Sequence, residues 1–381
     1  MKRTVFFFLF AFIFISPKVL LAQPTIQVAT GNNHVLAIKD GRLYGWGDNS
    51  EGQLGIGTKS IEYAPVQIGN SNDWKNVYAA AMHSMAIKKD GSLWAWGWGN
   101  NHELGLGQAN SRSLVPERVG QDTNWAMITT AANNTIGIKT NGSLWIWGSN
   151  VGAALGVGPT TNSAVYAPTR VGKENDWITA TAGQHMLLAI KKNGTLWSWG
   201  RKGGSDIRGN APSGDITLTP MQVSTGNNWK KLFVHPQHGR AAVIALRQDG
   251  SVWAWGNNAA GKLGFGDMET RQQPAPVPVK GEWQSFAIAT EYTLGVHADG
   301  SLWHSGNYLK WIDARIGEQN KSTTFQQTKI PGKWSAVHML QISGVVLIDD
   351  KGNIFTYGIN ARGELGNGTK AGSWKPTLVK L

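Results

Sequence analysis

The sequence predicts an all-β fold, a seven-bladed β-propeller of four-stranded antiparallel blades, and three observations lead there. The first is an internal repeat. DGRLYGWGDNSEGQLGIG at Gly41 returns as DGSLWAWGWGNNHELGLG at Gly91 and NGSLWIWGSNVGAALGVG at Gly142. NGTLWSWGRKGG at Gly194, DGSVWAWGNNAAGKLGFG at Gly250, DGSLWHSGN at Gly300 and KGNIFTYGINARGELGNG at Gly352 complete seven copies. Their glycines stand 50, 51, 52, 56, 50 and 52 residues apart. The second is composition: 48 glycines and 16% charged residues suit sheets and turns rather than helices. The third is that each repeat holds four short strand-like runs, which at this period is the pattern of a propeller blade.

In the second repeat, residues 76–81 are short and small, as the innermost strand A needs where the channel is crowded. Residues 84–88 alternate as strand B and meet Lys89-Asp90-Gly91, a hairpin signal. Residues 92–96 make strand C, with Leu93 directed away from Trp94 and Trp96. Residues 115–119 make strand D after a long Gly/Asn loop. Side chains at i and i+2 share one face of a strand. Trp94/Trp96, Trp145/Trp147, Trp197/Trp199 and Trp253/Trp255 therefore each place two indoles between neighbouring blades. A further series, Trp74, Trp125, Trp177, Trp229, Trp283 and Trp334, is expected just before strand A. Recurrence assigns these rings to architecture. Gly97, Gly148, Gly200 and Gly256 follow the second indole, where the chain must turn or another backbone approaches. The first strand A (26–30) and the last strand D (376–380) bound the ring, with Leu378 expected inside. The ring closes either by face packing alone or by a final strand that clasps the first blade.

Residues 1–22 have the three parts of a secretory signal peptide: Lys2 and Arg3, the apolar run 5–15, and Leu20-Leu21-Ala22 before Gln23. The apolar run is shorter than the roughly 20 residues that span a bilayer. The expected mature chain is one propeller over 23–381, secreted or periplasmic and monomeric, with no transmembrane span after cleavage. The sequence has no cysteine, which leaves neither a lipid anchor nor a disulfide and assigns stability to packing. The net charge is +12, of which Lys2, Arg3 and Lys18 leave with the leader. A basic surface can attract nucleic acid or anionic glycan and lipid, but export makes nucleic acid an unsuitable partner.

No catalytic, metal or cofactor constellation emerges. His34, His83, His185 and His238 share one repeat position and read as loop-fixing hydrogen-bond partners, since residues spread around a ring cannot reach one ion. His235 and His238 show a two-residue gap without further ligands nearby. Residues 52–60, GQLGIGTKS, resemble a phosphate loop, but Thr58 intrudes between Gly57 and Lys59 and no helix follows. Strand order puts the A–B and C–D loops on one face and the B–C turns and D–A links on the other. The C–D loops vary most between repeats, and variation on a rigid scaffold is where recognition lies. Trp98, His102, Arg201, Lys202, Tyr308, Trp311 and Arg362 are the expected partner-binding side chains, for a protein or glycan partner. The alternative, a carbohydrate-active or lyase enzyme, would need two facing carboxylates among Glu103, Asp206, Asp313 and Glu364.

The DGxLWxWG strand, the NxxGxLGxG loop, the PxxV strand D and AAMHSMAI at residues 80–87 resemble the regulator of chromosome condensation repeat family, including its alpha-tubulin suppressor-like members. Kelch propellers share the period, but their diglycine mark occurs here only at Gly203-Gly204. The resemblance implies a propeller scaffold; the namesake activity is guanine nucleotide exchange with chromatin binding. An exported chain would meet neither partner, and no inserted wedge hairpin of the exchange factors is present. A cytoplasmic chain would make an exchange-like regulator plausible. Exported members of this propeller class that inhibit β-lactamase through one rim face fit the expected compartment better.

Overall fold

The computed structural model describes residues 26–107, 111–131, 133–151, 155–158, 163–183, 186–201, 209, 216–223, 226–235, 241–307, 321–340 and 344–381, without the side chains of Arg201 and His235. The expected signal peptide lies outside them. The described residues form seven four-stranded antiparallel sheets, each pairing its strands in chain order. In blade two these are Trp74–Ala79, His83–Lys88, Leu93–Trp98 and Arg112–Arg118. The first three match the expected strands within two residues, and D starts three earlier. The series Trp74, Trp125, Trp177, Trp229, Trp283 and Trp334 opens strand A instead of preceding it, and Trp74 pairs with Lys88 across the first ladder.

The blades pack face to face, and each of the seven interfaces has its own apolar cluster. Between blades one and two, Leu36, Ile38, Leu43 and Ile68 meet Trp74, Val77 and Trp96. Leu93 and Ala95 point the other way, onto Trp125 and Trp147 of blade three. Alternation along a strand thus lets one segment serve two interfaces. Trp46, Trp96, Trp147, Trp199 and Trp255 are fully buried, and truncating such a ring to Ala costs about 3–5 kcal/mol. Gly97 has φ +92°, and a Cβ there would stand 2.6 Å from the Met82 carbonyl oxygen. Both reasons expected for that glycine therefore apply.

Blade seven is complete within the C-terminal repeat, its outer strand Ser373–Val379 pairing with Ile354–Gly358. The ring closes by face packing, with no strand exchanged. Leu340, Val346 and Val379 bury against Val28, Val35 and Trp46. The Trp46 Nε1 donates to the Glu364 carbonyl at 3.1 Å, and Arg362 Nη1 lies 3.2 Å from Asp48 Oδ2. Leu378, expected inside, is 45% exposed. The strand's phase differs by one residue, and Val379 enters the core.

Candidate functional site

The C–D loops face the same end of the ring as the A–B loops, and in most blades they have a mechanical task. An asparagine at the loop start folds the loop. Asn49 Oδ1 accepts from Leu54 N at 2.9 Å while its amide donates to the Thr58 carbonyl at 2.8 Å. Asn258 and Asn360 repeat both contacts. The folded loop then seats the next blade. The Gln53 carbonyl accepts from Trp96 Nε1 (2.9 Å) and the Ser84 hydroxyl (2.7 Å). The Glu103 carbonyl accepts from Trp147 Nε1 and Thr135 Oγ1, both at 2.8 Å. Leu155 takes Trp199 at 3.2 Å. Gly55, Gly105, Gly156 and Gly366 lie on the same indoles so closely that a Cβ would fall within 2.3–2.8 Å of the ring. The Asn and the Leu-Gly pair are thus an interblade latch.

Three of the expected partner-binding residues are described in full. Trp98 ends strand C of blade two, half-buried, with the Arg112 guanidinium 4.9 Å from its ring and Arg112 paired with Glu51. His102 has φ +65° and packs edge-on against Tyr166 of blade three, centroids 4.3 Å apart. Arg362 joins blade seven to Asp48 of blade one. Arg201 ends its strand C, Leu196–Arg201. Lys202, Tyr308 and Trp311 lie outside the described residues, as do Asp206, Asp313, His185 and His238.

The carboxylates of Glu103 and Glu364 are buried and turned onto their own loops, accepting from Asn101 N and Arg362 N at 2.7 Å. Burial raises both pKa values. One stands in blade two and the other in blade seven, so the two do not make a facing pair. His34 is the hydrogen-bonding residue expected: its Nε2 lies 3.1 Å from the Ser84 hydroxyl of the next blade. Burial lowers its pKa to about 4, against a smaller opposing effect of Asp48. His83 is lowered to about 3 by burial and by His34. Among the described residues no three His, Asp or Glu side chains could hold a metal ion. In the phosphate-loop look-alike, Gly57 N donates to the Leu114 carbonyl of blade two at 2.9 Å. That amide is engaged in interblade packing.

The channel end beside the A–B loops contains a cavity of about 310 Å³, walled by residues such as Thr30, Ala79, Thr130, Phe286 and Met339. His338 lines it, its pKa lowered to about 4 by burial and by Lys231. On the opposite face the sequence reading missed a series of cation clamps. Lys88, Lys139, Lys191 and Arg247, each the last residue of a strand B, lie over two tryptophans of their own blade. The signal was available as a basic residue four positions before the hairpin's first Ser or Thr or beside it, always followed by Trp in strand C.

A model of the regulator of chromosome condensation (RCC1) repeat matches residues 40–87, 90–138 and 249–296, and a second model of that repeat matches 26–53. The chain is 28% identical over 293 residues to the ultraviolet-B receptor UVR8 of Arabidopsis thaliana, covering 75% of this chain and 63% of that protein. It is 25% identical over 296 residues to the mitochondrial RCC1 domain-containing protein RUG3 of the same plant, covering 74% and 65%. It therefore spans less than two thirds of either relative. Human WBSCR16 superposes with TM-score 0.76 at 17% identity over 89% of this chain and 94% of that one. Prp20p of Saccharomyces cerevisiae, described with its binding to Gsp1p and histones, gives 0.72 at 17% identity over 89% and 85%. At that identity the two structures speak for the fold.

Proposed function

Because the chain belongs to the RCC1-repeat propellers, we propose that it is an exported, non-enzymatic binding module that holds a protein or glycan partner on its A–B and C–D loop face. One observation carries the reading: the latch sequence is missing from two blades. Blade four has RKGGSDIRGNAPSG and blade six has NYLKWIDARIG where the others carry the loop that ends in Leu-Gly. Elsewhere that loop seats the next blade, and these two segments lack the Leu-Gly sequence that does so. They bring Arg201, Tyr308 and Trp311, residue types that anchor interfaces, with Lys202 beside them. Trp98, Met82 (43% exposed) and Arg112 add a partly apolar rim in blade two. Prp20p, with the same fold, is a precedent for protein binding on such a ring. The reading needs no cofactor or metal, and export rests on the leader-like residues 1–22.

The test is photo-crosslinking in the native host, with a benzophenone side chain at Trp98, Arg201 or Trp311. Controls carry it at Lys75 or Lys192, both exposed on the opposite face. The reading expects one discrete adduct from the loop positions and none from the controls, on material whose intact mass lacks residues 1–22. Adducts only from the control positions would refute the face; a retained leader would refute export.

A further inference from the structure

Each blade from two to seven pairs its first tryptophan with the last residue of strand B. The pairs are Trp74–Lys88, Trp125–Lys139, Trp177–Lys191, Trp229–Arg247, Trp283–His297 and Trp334–Asp349. In blades two to five the paired residue is a cation lying 3.6–4.9 Å from the centroids of that tryptophan and of the strand-C tryptophan beside it. In blade six the His297 ring takes the place, 5.5 Å from Trp283 and 6.3 Å from Trp303.

Blade seven keeps the rings and inverts the charge. Trp334 and Phe355 meet edge-on at 5.4 Å and 82°; the Trp–Trp pairs of blades two to five stand at 5.7–6.1 Å and 73–80°. A carboxylate is repelled by the negative face of an aromatic ring. Asp349 accordingly turns to the hairpin, accepting from Lys351 N (2.9 Å), Asn353 N (2.7 Å) and Asn353 Nδ2 (2.8 Å). Among the described residues no cation lies over either ring. A groove of about 530 Å³ opens there, lined by Trp334, Phe355, Asp349 and Asp350 between Pro331 and Pro376.

The geometry points to this groove as a binding site for an organic cation, an alkylammonium or guanidinium group supplied by a ligand. Two ring faces beside a carboxylate are what blades two to four give to their own Lys, which bonds to Asp73, Asp122 or Asp176; here Asp349 and Asp350 border the same two ring faces. Lys333, Lys351 and Lys375 also border the groove. All three are exposed, and they form the anionic alternative that the test must separate. The site lies on the turn face, so it stands or falls independently of the loop-face reading.

The test is saturation-transfer NMR on the full mature chain with n-butylguanidinium, and with butyrate as the anionic probe. Wild type is expected to bind the guanidinium and ignore butyrate. Asp349→Lys restores the cation of blades two to four. It is expected to weaken guanidinium binding at least tenfold with an equal or higher melting temperature, and Phe355→Ala should also weaken it. An arginine peptide that binds more tightly than the free guanidinium would mark a protein as the source; equal affinity would mark a small amine. Undiminished binding by folded Asp349→Lys, preference for butyrate, or no guanidinium binding by wild type overturns the proposal.

Discussion

Trp96 shows what one residue does in this ring. Its indole is buried by the previous blade, bonded to the Gln53 carbonyl and covered by Gly55. Its burial was legible in the sequence, because a tryptophan recurring in blade after blade reads as structure. Its hydrogen-bond acceptor was not, because it lies 43 residues away in another repeat's loop. Gly55 and Gly57 test the contact, since both have φ near +80° and share a backbone penalty of about 1–2 kcal/mol for a side chain. Only at Gly55 would the Cβ strike an indole, 2.8 Å away; at Gly57 the nearest atom is 3.8 Å off. Chemical denaturation should therefore find Gly55→Ala less stable than Gly57→Ala, and equal losses would contradict the latch. His34 supplies a pH dependence. Its pKa is about 4 when folded and about 6.5 when unfolded. The unfolded chain therefore takes up the proton first as pH falls. The stability His34 provides is complete above pH 6.5 and drains away towards pH 4, by about 3 kcal/mol at the limit. Asn134 holds the same place in blade three. His34→Asn should flatten the fall in melting temperature between pH 7 and 4.5; parallel curves would exclude this role.

Blade six shows how an element compensates for a lost repeat residue. Where the other blades carry their second strand-C aromatic it has Ser305, whose hydroxyl donates to the Gly261 carbonyl of the preceding loop at 2.8 Å. The missing ring volume comes from strand D. Phe325 packs 5.2 Å from Trp283 and 5.7 Å from Phe286, and Gly264 lies against its ring. Its register position holds proline in the other blades: Pro65, Pro116, Pro168, Pro220, Pro274 and Pro376. Proline there denies an outer edge strand a free N–H and protects it from pairing with other chains. The degeneracy of this repeat was legible, whereas its repair was not, because the exchange couples residues on different strands. Phe325→Pro should cost about 3–5 kcal/mol, and Ser305→Trp alone should overpack the site by about 1–3 kcal/mol. The double variant should recover about 1–3 kcal/mol relative to their sum. Additive losses in a denaturant cycle would show that the two sites do not share one cavity.

Across the whole molecule, the seven-blade ring follows from repeat spacing and strand alternation, and strand ends shifted by no more than a turn's width. The mode of closure had two readings, since a repeat count alone does not say whether the last strand stays at home. Seven clusters for seven interfaces and the home pairing of residues 373–379 settle it as face packing. Deleting residues 375–381 removes most of that strand and Val379, whose burial alone contributes about 2 kcal/mol. A melting temperature unchanged by the deletion would contradict this closure. The proposed binding face rests in the sequence on loop variability alone, because the latch that engages most C–D loops depends on contacts between repeats. The proposal at the centre of this reading is that the C–D loops with the latch sequence seat the next blade, while those without it serve recognition. Its most direct measurement replaces residues 308–320 with the equal-length 258–270 segment of blade five, which carries the Asn258 clamp and Leu263-Gly264. The variant should fold with an undiminished melting temperature and lose the crosslinked partner of the loop face; a variant that keeps the partner at wild-type yield would contradict the account.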